Sequence, residues 1–388
     1  MSCKRILFII DSLTVGGAEK SLLSLLSLLN PEKYRVTLWI RYRGGELEEL
    51  LPVGVEILPA PKYTATEDFL YRSSLRLYSI HFRLLHLLKK KRHLAEVLWK
   101  CSGWAMKAPQ EVFDVAIAYQ QGIPTYLLAN KIQANKKVVW DNINMVGAGY
   151  DMKFNRQFYA KADHIVTVSE ELQVIMRSVY PEFMEKICCI YDILSPSIIL
   201  QQAKNRIADV FSHNGKTLIV TVGRMVPQKN YPLAVETAKV LHGRRIPFMW
   251  IFVGDGSERA LVESLINNYG LQQDIILVGL QVNPYPYINQ CDIYVQTSSF
   301  EGFGLTIAEA KILGKPVVST NFDVVHDQLL HEHNGLIADM TAESVADNII
   351  RLIRDDTLRQ IIIENVKAET NTTAETEIKK VEKLLDED

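Results

Sequence analysis

No stretch of the sequence is apolar for longer than a β-strand. Arg5-Ile6-Leu7-Phe8-Ile9-Ile10 is typical of the longest such runs and falls far short of the ~20 residues a membrane-spanning helix needs. Cysteine is scarce: Cys3, Cys101, Cys188, Cys189 and Cys291 are odd in number and lack metal-ligand spacing. That excludes a disulfide framework or a zinc site and reads as buried thiols in a reducing compartment. Asp-x-Asp occurs only in the tail, as Asp386-Glu387-Asp388, so no carboxylate pair stands ready to hold a metal-diphosphate on a sheet. No metal or cofactor is expected. Gly215-Lys216-Thr217 resembles the end of a phosphate-binding loop, but position 210 is Val and a strand pattern follows where a helix is required. The dinucleotide fingerprint G-x-G-x-x-G is missing after the first strand. A net charge of −2, with no recognised nucleic-acid fold, argues against a nucleic-acid partner. Met1-Ser2-Cys3-Lys4-Arg5 leads straight into a strand, so a cytoplasmic protein is expected.

A chain of 388 residues suits two domains. Short β-branched runs alternate with helical patterns: Ile6 to Ile10, a helix over about Ala18 to Leu29, then Val36 to Ile40, Val115 to Ala118, Lys137 to Trp140 and Ile165 to Val168. A second series follows at Leu218 to Val222, Phe248 to Val253, Ile275 to Val278, Ile293 to Gln296 and Pro316 to Ser319. Its helices are expected near Pro232 to His242, Glu258 to Asn268 and Leu305 to Leu313. This alternation predicts two Rossmann-like, doubly wound parallel sheets in series. The turn-rich segment Tyr191-Asp192-Ile193-Leu194-Ser195-Pro196-Ser197 reads as the connector. The expected domains are 1–192 and 193–371, with a charged helix in 372–388. Lys and Arg outnumber Asp and Glu by 25 to 20 over residues 1–192 and are outnumbered 18 to 25 over 193–388.

The sharpest motif is Ser298-Ser299-Phe300-Glu301-Gly302-Phe303-Gly304-Leu305-Thr306-Ile307-Ala308-Glu309. It sets two carboxylates eight residues apart across a glycine-hinged loop that opens a helix, whose free amides and dipole suit an anion. Two solvated glutamates on a capped αβ unit is the plainer reading. Arg224 and Lys229 lie in a loop directly after the strand Leu218 to Val222, where a bidentate fork and a point charge could grip a diphosphate; exposed surface charges would look the same. Phe252-Val253-Gly254-Asp255-Gly256-Ser257 is a further glycine turn at a strand end. In the first half, Asp11-Ser12-Leu13-Thr14-Val15-Gly16-Gly17-Ala18-Glu19 runs from a strand into a helix, as a ligand loop or merely a tight turn.

Between Arg72 and Arg92 the chain carries Arg72, Arg76, Arg83, Lys89, Lys90, Lys91 and Arg92 without an acidic residue. With Leu70, Leu77, Ile80, Leu84, Leu87 and Leu88 at helical spacing, Phe69 to Lys107 reads as a basic amphipathic stretch that would lie on anionic lipid, or as a solvated charged face.

Together, Gly16-Gly17-Ala18-Glu19, Val222-Gly223-Arg224 with Lys229, Gly254-Asp255-Gly256, and Glu301-Gly302-Phe303-Gly304 with Glu309 resemble the family 4 retaining glycosyltransferases of GT-B fold. The resemblance spans nearly the whole chain and rests on the order and spacing of four elements. It implies two Rossmann-like domains facing a cleft, the donor nucleotide-sugar in the second, the acceptor facing the first, and a last helix crossing back to the first. Arg224 and Lys229 would then hold the donor diphosphate, Glu309 the ribose hydroxyls, and Glu301 with the amides of Gly302, Phe303, Gly304 and Leu305 the donor sugar and phosphate. Gly254 belongs to the same donor wall, Leu280 lies where the family packs the base, and Gly16 and Gly17 approach from the acceptor side. The reaction implied is transfer of a sugar from a nucleoside diphosphate, by default a UDP-sugar, to a hydroxyl with retention and without metal. The acceptor would be a lipid-linked glycan of bacterial surface polysaccharide assembly, met at the inner face of the cell membrane. One departure stands out. Where many relatives have His after the strand at Val138-Val139-Trp140, this chain has Asp141-Asn142, either of which could be the polar contact there. An epimerase or phosphorylase on the same scaffold, or a non-catalytic partner subunit, remain open as alternatives.

Overall fold

The computed structural model describes residues 3–87, 92–206, 215–369 and 373–387. Lys89, Lys90 and Lys91 lie outside the described residues. Two compact units are present: Met1–Ile193 with Glu377–Asp388, and Leu194–Thr376. The division falls inside the turn-rich connector.

The first unit carries seven strands: β1 (Lys4–Ser12), β2 (Tyr34–Tyr42), β3 (Glu56–Ile57), β4 (Val112–Ala118), β5 (Gln133–Asp141), β6 (His164–Thr167) and β7 (Ile187–Cys189). Every pairing is parallel and the order is β3-β2-β1-β4-β5-β6-β7, reversing direction between β1 and β4. Among the described residues, six helices complete the unit up to the connector: α1 (Gly17–Leu28), α2 (Ala65–Leu87), α3 (Leu94–Ser102), α4 (Ile123–Lys131), α5 (Met152–Tyr159) and α6 (Glu170–Val179). The basic stretch read from the sequence as one is thus two helices, parted where the His93 side chain caps α3 by accepting from the Ala95 amide. Ile6 to Ile10 are wholly buried, the signature of a parallel strand covered on both faces. On one face Leu7, Ile9, Ala118, Val139 and Ile165 meet Tyr126, Leu127, Phe158 and Tyr159 of α4 and α5.

In the second unit, α7 (Pro196–Gln202) precedes six strands: β8 (Thr217–Val222), β9 (Phe248–Val253), β10 (Ile275–Gly279), β11 (Ile293–Gln296), β12 (Val317–Thr320) and β13 (Leu336–Ala338). All are parallel, in the order β10-β9-β8-β11-β12-β13, with the reversal between β8 and β11. The remaining helices are α8 (Tyr231–Gly243), α9 (Arg259–Asn268), α10 (Tyr285–Gln290), α11 (Leu305–Ile312), α12 (Ala342–Arg354), α13 (Asp356–Glu369) and α14 (Thr373–Asp386). α12 shows why these segments are helical. Thr341 accepts from the Ser344 amide at its start, Glu343 sits in the first turn and Arg351 and Arg354 in the last, each charge opposing the dipole end it faces. Its apolar stripe, Val345, Ile349 and Leu352, is buried against Trp250, Val318 and α8.

The thiols correct the sequence reading. Only Cys291 is buried; Cys3 is exposed and Cys101, Cys188 and Cys189 are intermediate. Burial pushes the Cys291 thiol up to about 12. No helix among the described residues is long and apolar enough to cross a membrane.

Most of α14 belongs to the first unit, where Val381, Leu384 and Leu385 are buried and the Glu377 carboxylate accepts from the Tyr191 amide at 2.8 Å. Two lysines terminate this helix. Lys4 Nζ donates to the carbonyls of Leu385 and Asp386 at 3.0 and 3.1 Å, and the buried Lys136 Nζ donates to those of Leu384, at 3.0 Å, and Glu387. They satisfy carbonyls that have no intrahelical partner and oppose the negative dipole end. Lys136→Met is therefore expected to cost about 1–3 kcal/mol in urea unfolding and to make the tail the first site of proteolysis. Unchanged unfolding and cleavage would show that these contacts contribute nothing.

Candidate functional site

The strand order reverses between β8 and β11, and the loops that leave their carboxyl ends meet there, at the place where open parallel sheets hold ligands. After Val222 the chain passes through Gly223 and Arg224 to a 3-10 turn at Pro227–Lys229, then through Asn230 in the left-handed region (φ 49°) into α8. This loop is sewn to its neighbours by main-chain bonds. The Gly223 amide donates to Val253 at 3.0 Å, that of Met225 to Asp255 at 2.9 Å, and that of Gly254 to Gly279 at 2.8 Å. Gly254, at φ +145°, passes so close that a Cβ there would lie 1.9 Å from the Gly223 oxygen. Glycine is obligatory at this crossing.

Lys229 and Glu301 close the gap between the two loops. Lys229 Nζ lies 2.6 Å from Glu301 Oε1, with both side chains largely buried. The same oxygen accepts from Ser298 Oγ at 2.6 Å and Gln296 Nε2 at 2.8 Å, while Gln228 Nε2 reaches Glu301 Oε2 at 3.2 Å. Gln296 Oε1 accepts in turn from Tyr294 and Thr306. Main-chain contacts reinforce the bridge, from the Ser299 amide to the Gln228 carbonyl and from Thr297 Oγ1 to the Lys229 carbonyl. Glu301 is thus as much a tether between loops as a group offered to a ligand.

Downstream, Gly302, Phe303 and Gly304 are buried, and Gly304 (φ +87°) starts α11. Gln328 staples this turn by donating to the carbonyls of Phe303 and Gly304, and Leu305 begins the helix. Glu309, wholly buried one turn later, accepts from Tyr285 of α10 at 3.0 Å. Leu280 follows β10 and leaves an exposed apolar side chain at the same edge of the sheet. Arg224 is exposed and, among the described residues, makes no ion pair or side-chain hydrogen bond. Since Glu301 offsets Lys229, Arg224 supplies the uncompensated positive charge, with the amide end of α11 adding to it.

The first unit has a parallel arrangement between β1 and β4. Gly16 is extended (φ −158°), a conformation open to any residue, and a Cβ there would meet only the flexible end of Glu19, which folds back over the turn. Gly17 begins α1. Gln120, after β4, joins the two sides by donating to Glu19 at 3.0 Å and accepting from the Asp11 amide at 3.2 Å, and Arg41 pairs with Asp11. Asp141 and Asn142 diverge, as successive strand residues must. The Asp141 carboxyl is buried and accepts from Tyr159 at 2.6 Å, whereas half-buried Asn142 is held through its Nδ2 on the Tyr119 carbonyl at 2.6 Å. Asn142, and not Asp141, is the member of the pair reachable from solvent. Arg83 and Arg92 are exposed, and neither lies at either sheet edge described here.

Sequence reasoning did not single out Gln228, Gln296, Tyr285, Gln328 or Gln120. The one available signal was a polar residue, Gln296, ending the apolar run of β11; the others act through partners distant in sequence.

Two all-parallel α/β units with polar loops gathered at the carboxyl edges define the GT-B fold, and a solved neighbour shares it. HepE from Anabaena, solved with UDP, superposes with a TM-score of 0.72 at 16% identity, covering 98% of this chain and 99% of that one. Residues 203–369, within the second unit, match the family model described as Glycosyl transferases group 1. It is 21% identical over 360 residues to the amylovoran biosynthesis glycosyltransferase AmsD of Erwinia amylovora, covering 92% of each. It is 29% identical over 161 residues to the poly(ribitol-phosphate) alpha-N-acetylglucosaminyltransferase of Staphylococcus aureus, 38% of this chain and 32% of that protein. Several curated relatives are spanned over about a third to a half of their length.

Burial raises the Asp141 carboxyl from its ordinary 3.8 to about 7. The folded state therefore holds a proton that the unfolded chain releases, so this residue's contribution to stability falls as pH rises from about 4 to about 7 and is flat above. Asp192, also raised to about 7 by burial, contributes in the same direction. Asp141→Asn, which keeps an acceptor for Tyr159, is expected to weaken that slope and to leave the variant about 1–4 kcal/mol more stable than the parent near pH 8, with the gap closing toward pH 4. Urea midpoints measured across this range check it; parallel curves for the two proteins would contradict it.

Proposed function

We propose that the protein transfers a sugar from a nucleoside diphosphate, with UDP as the base carrier, to a hydroxyl of a growing surface polysaccharide. The observation that carries this is the Lys229–Glu301 bridge across the β8–β11 reversal, with Arg224 exposed beside it and a glycine-hinged loop opening α11. Lys229, Arg224 and the amide end of α11 would take up the negative charge that builds on the leaving diphosphate, the charge-stabilising role a metal ion otherwise fills. Glu309, held by Tyr285, would accept from ribose hydroxyls, Leu280 would contact the base, and Gly302 to Leu305 would approach the phosphate and sugar. Glu301 would touch the sugar with the carboxylate oxygen it holds least tightly, Oε2. With no second carboxylate assigned beside it, a same-face, retaining route fits better than double displacement: the leaving phosphate takes the acceptor proton as the new bond forms. Gly16, Gly17, Gln120 and Asn142 form the first unit's polar edge, suited to an acceptor hydroxyl.

The reading is supported by the names of relatives that act on polymeric or lipid-linked acceptors. One is the S. aureus enzyme above, and another is the N-acetylgalactosamine-N,N'-diacetylbacillosaminyl-diphospho-undecaprenol 4-alpha-N-acetylgalactosaminyltransferase of Campylobacter jejuni, 27% identical over 144 residues, 37% of this chain and 39% of that protein. A lipid-linked glycan is the acceptor proposed here.

In the presence of EDTA, one nucleotide class among UDP-, GDP- and ADP-sugars is expected to raise the melting temperature of the protein, by the stabilisation a ligand of the folded state confers. Glu309→Gln, which keeps an acceptor for Tyr285, is expected to lower transfer by about 10- to 100-fold while the apo protein stays folded. A donor shift that needs added metal would overturn metal independence. Turnover without a hydroxyl acceptor would favour an epimerase or phosphorylase, and absence of any donor shift would favour a non-catalytic subunit.

A further inference from the structure

Over Phe69 to Arg83, α2 is packed along one face. Ser74 is buried there, Tyr71 stacks on Tyr63 with ring centroids 5.3 Å apart and joins the first unit's core, and Tyr78 is half-buried. At about 100° per residue, the opposite face presents Phe69, Leu77 and Ile80, which are 66%, 59% and 64% exposed. An ordinary surface helix turns its apolar stripe inward and its charges outward. Here a second apolar stripe points to solvent.

Arg72, Arg76 and Arg83, separated by four and seven residues, fall together on the stripe alongside. Arg72 pairs with Asp68 at 2.7 Å, whereas Arg76 and Arg83 have no carboxylate partner among the described residues. No acidic residue occurs from Phe69 to Arg92, and the helix's two carboxylates, Glu67 and Asp68, lie in its first turn, where Glu67 pairs with Lys107 and Asp68 with Arg72.

From this arrangement we infer that the outer face of α2 docks on an anionic phospholipid surface, with Phe69, Leu77 and Ile80 entering the acyl boundary and Arg76 and Arg83 meeting headgroup phosphates. Large apolar side chains flanked by unpaired cations on one exposed helix face are what an interfacial helix requires. The charge pattern selects the occupant. A second copy of this chain packed face to face would set arginine against arginine, since a two-fold contact pairs each patch with itself. A nucleic acid would satisfy the arginines and leave the apolar stripe in water. The surface is read from α2 alone and does not depend on the transferase reading.

The test is co-sedimentation of the full-length protein with vesicles of phosphatidylcholine alone and of an equimolar mixture with phosphatidylglycerol, at low and high salt. Binding is expected to the mixture only, to weaken with salt, and to fall about fivefold in partition coefficient for each arginine lost in Arg76→Gln and Arg83→Gln. Phe69→Ser with Ile80→Ser should lower binding to the mixture at both salt concentrations. These positions are exposed, so the melting temperature of each variant should match that of the parent, which confirms that they are folded. Equal binding to both vesicles, no binding to either, or binding that survives both sets of substitutions would overturn the inference. So would a dimer in solution that the same substitutions dissociate. Loss of vesicle binding with donor stabilisation intact separates this surface from the donor site.

Discussion

A lysine and a glutamate from loops 72 residues apart share a largely buried position in the second unit, and the geometry around it follows from that pair. An ion pair removed from water is stable only when further hydrogen bonds replace the lost hydration. Ser298, Gln296 and Gln228 supply them to Glu301, and Tyr294 and Thr306 hold Gln296 in the orientation that lets it do so. Because every donor comes from the ends of β8 or β11 or from the start of α11, the pair fixes the loop after one strand against the loop after the next. A parallel sheet that reverses its order leaves a gap at this point; the pair spans it with a cation held at its rim.

The two units use the same topological feature differently. In the second, the gap is crossed by opposite charges and backed by an exposed arginine, which favours an anion. In the first, Gln120 crosses it between Glu19 and Asp11, and Arg41 is already taken by Asp11. That edge is richer in carboxylate oxygens and side-chain amides than in free cations, a chemistry for hydroxyls. An asymmetry of this kind is what a reaction between a phosphorylated donor and a hydroxyl acceptor calls for, and it is local to the two edges, since by sequence the first half carries the excess of cations and the second the excess of carboxylates.

Much of this was legible before the fold was known, for identifiable reasons. Strands β1, β8, β9 and β11 are covered on both faces and therefore read as continuous apolar runs, and Gly254 and Gly304 mark backbone that other residues enter at a cost. The strands of two or three residues, β3, β7 and β13, carry too little pattern to register. Phe69 to Lys107 divides into two helices at a local histidine cap that periodicity does not reveal. Asp141 is hydrophilic by composition yet ends a buried strand on its inward side beside Tyr159, so its place could be had only from the pairing of β5 with its neighbours. Gln328 and Tyr285 were invisible because their importance lies in partners 25 and 24 residues away.

The central claim, that Lys229 is held at the reversal point to bind a diphosphate, is tested most directly by calorimetric titration of UDP, without sugar and with EDTA present, into the parent protein and into Lys229→Ala. The account predicts metal-independent binding by the parent and a dissociation constant raised about 10- to 100-fold in the variant, the loss of one charge-assisted contact of ~1.5–3 kcal/mol. Equal affinity in the two proteins, with both folded, would contradict it and leave Lys229 as a structural partner of Glu301 alone.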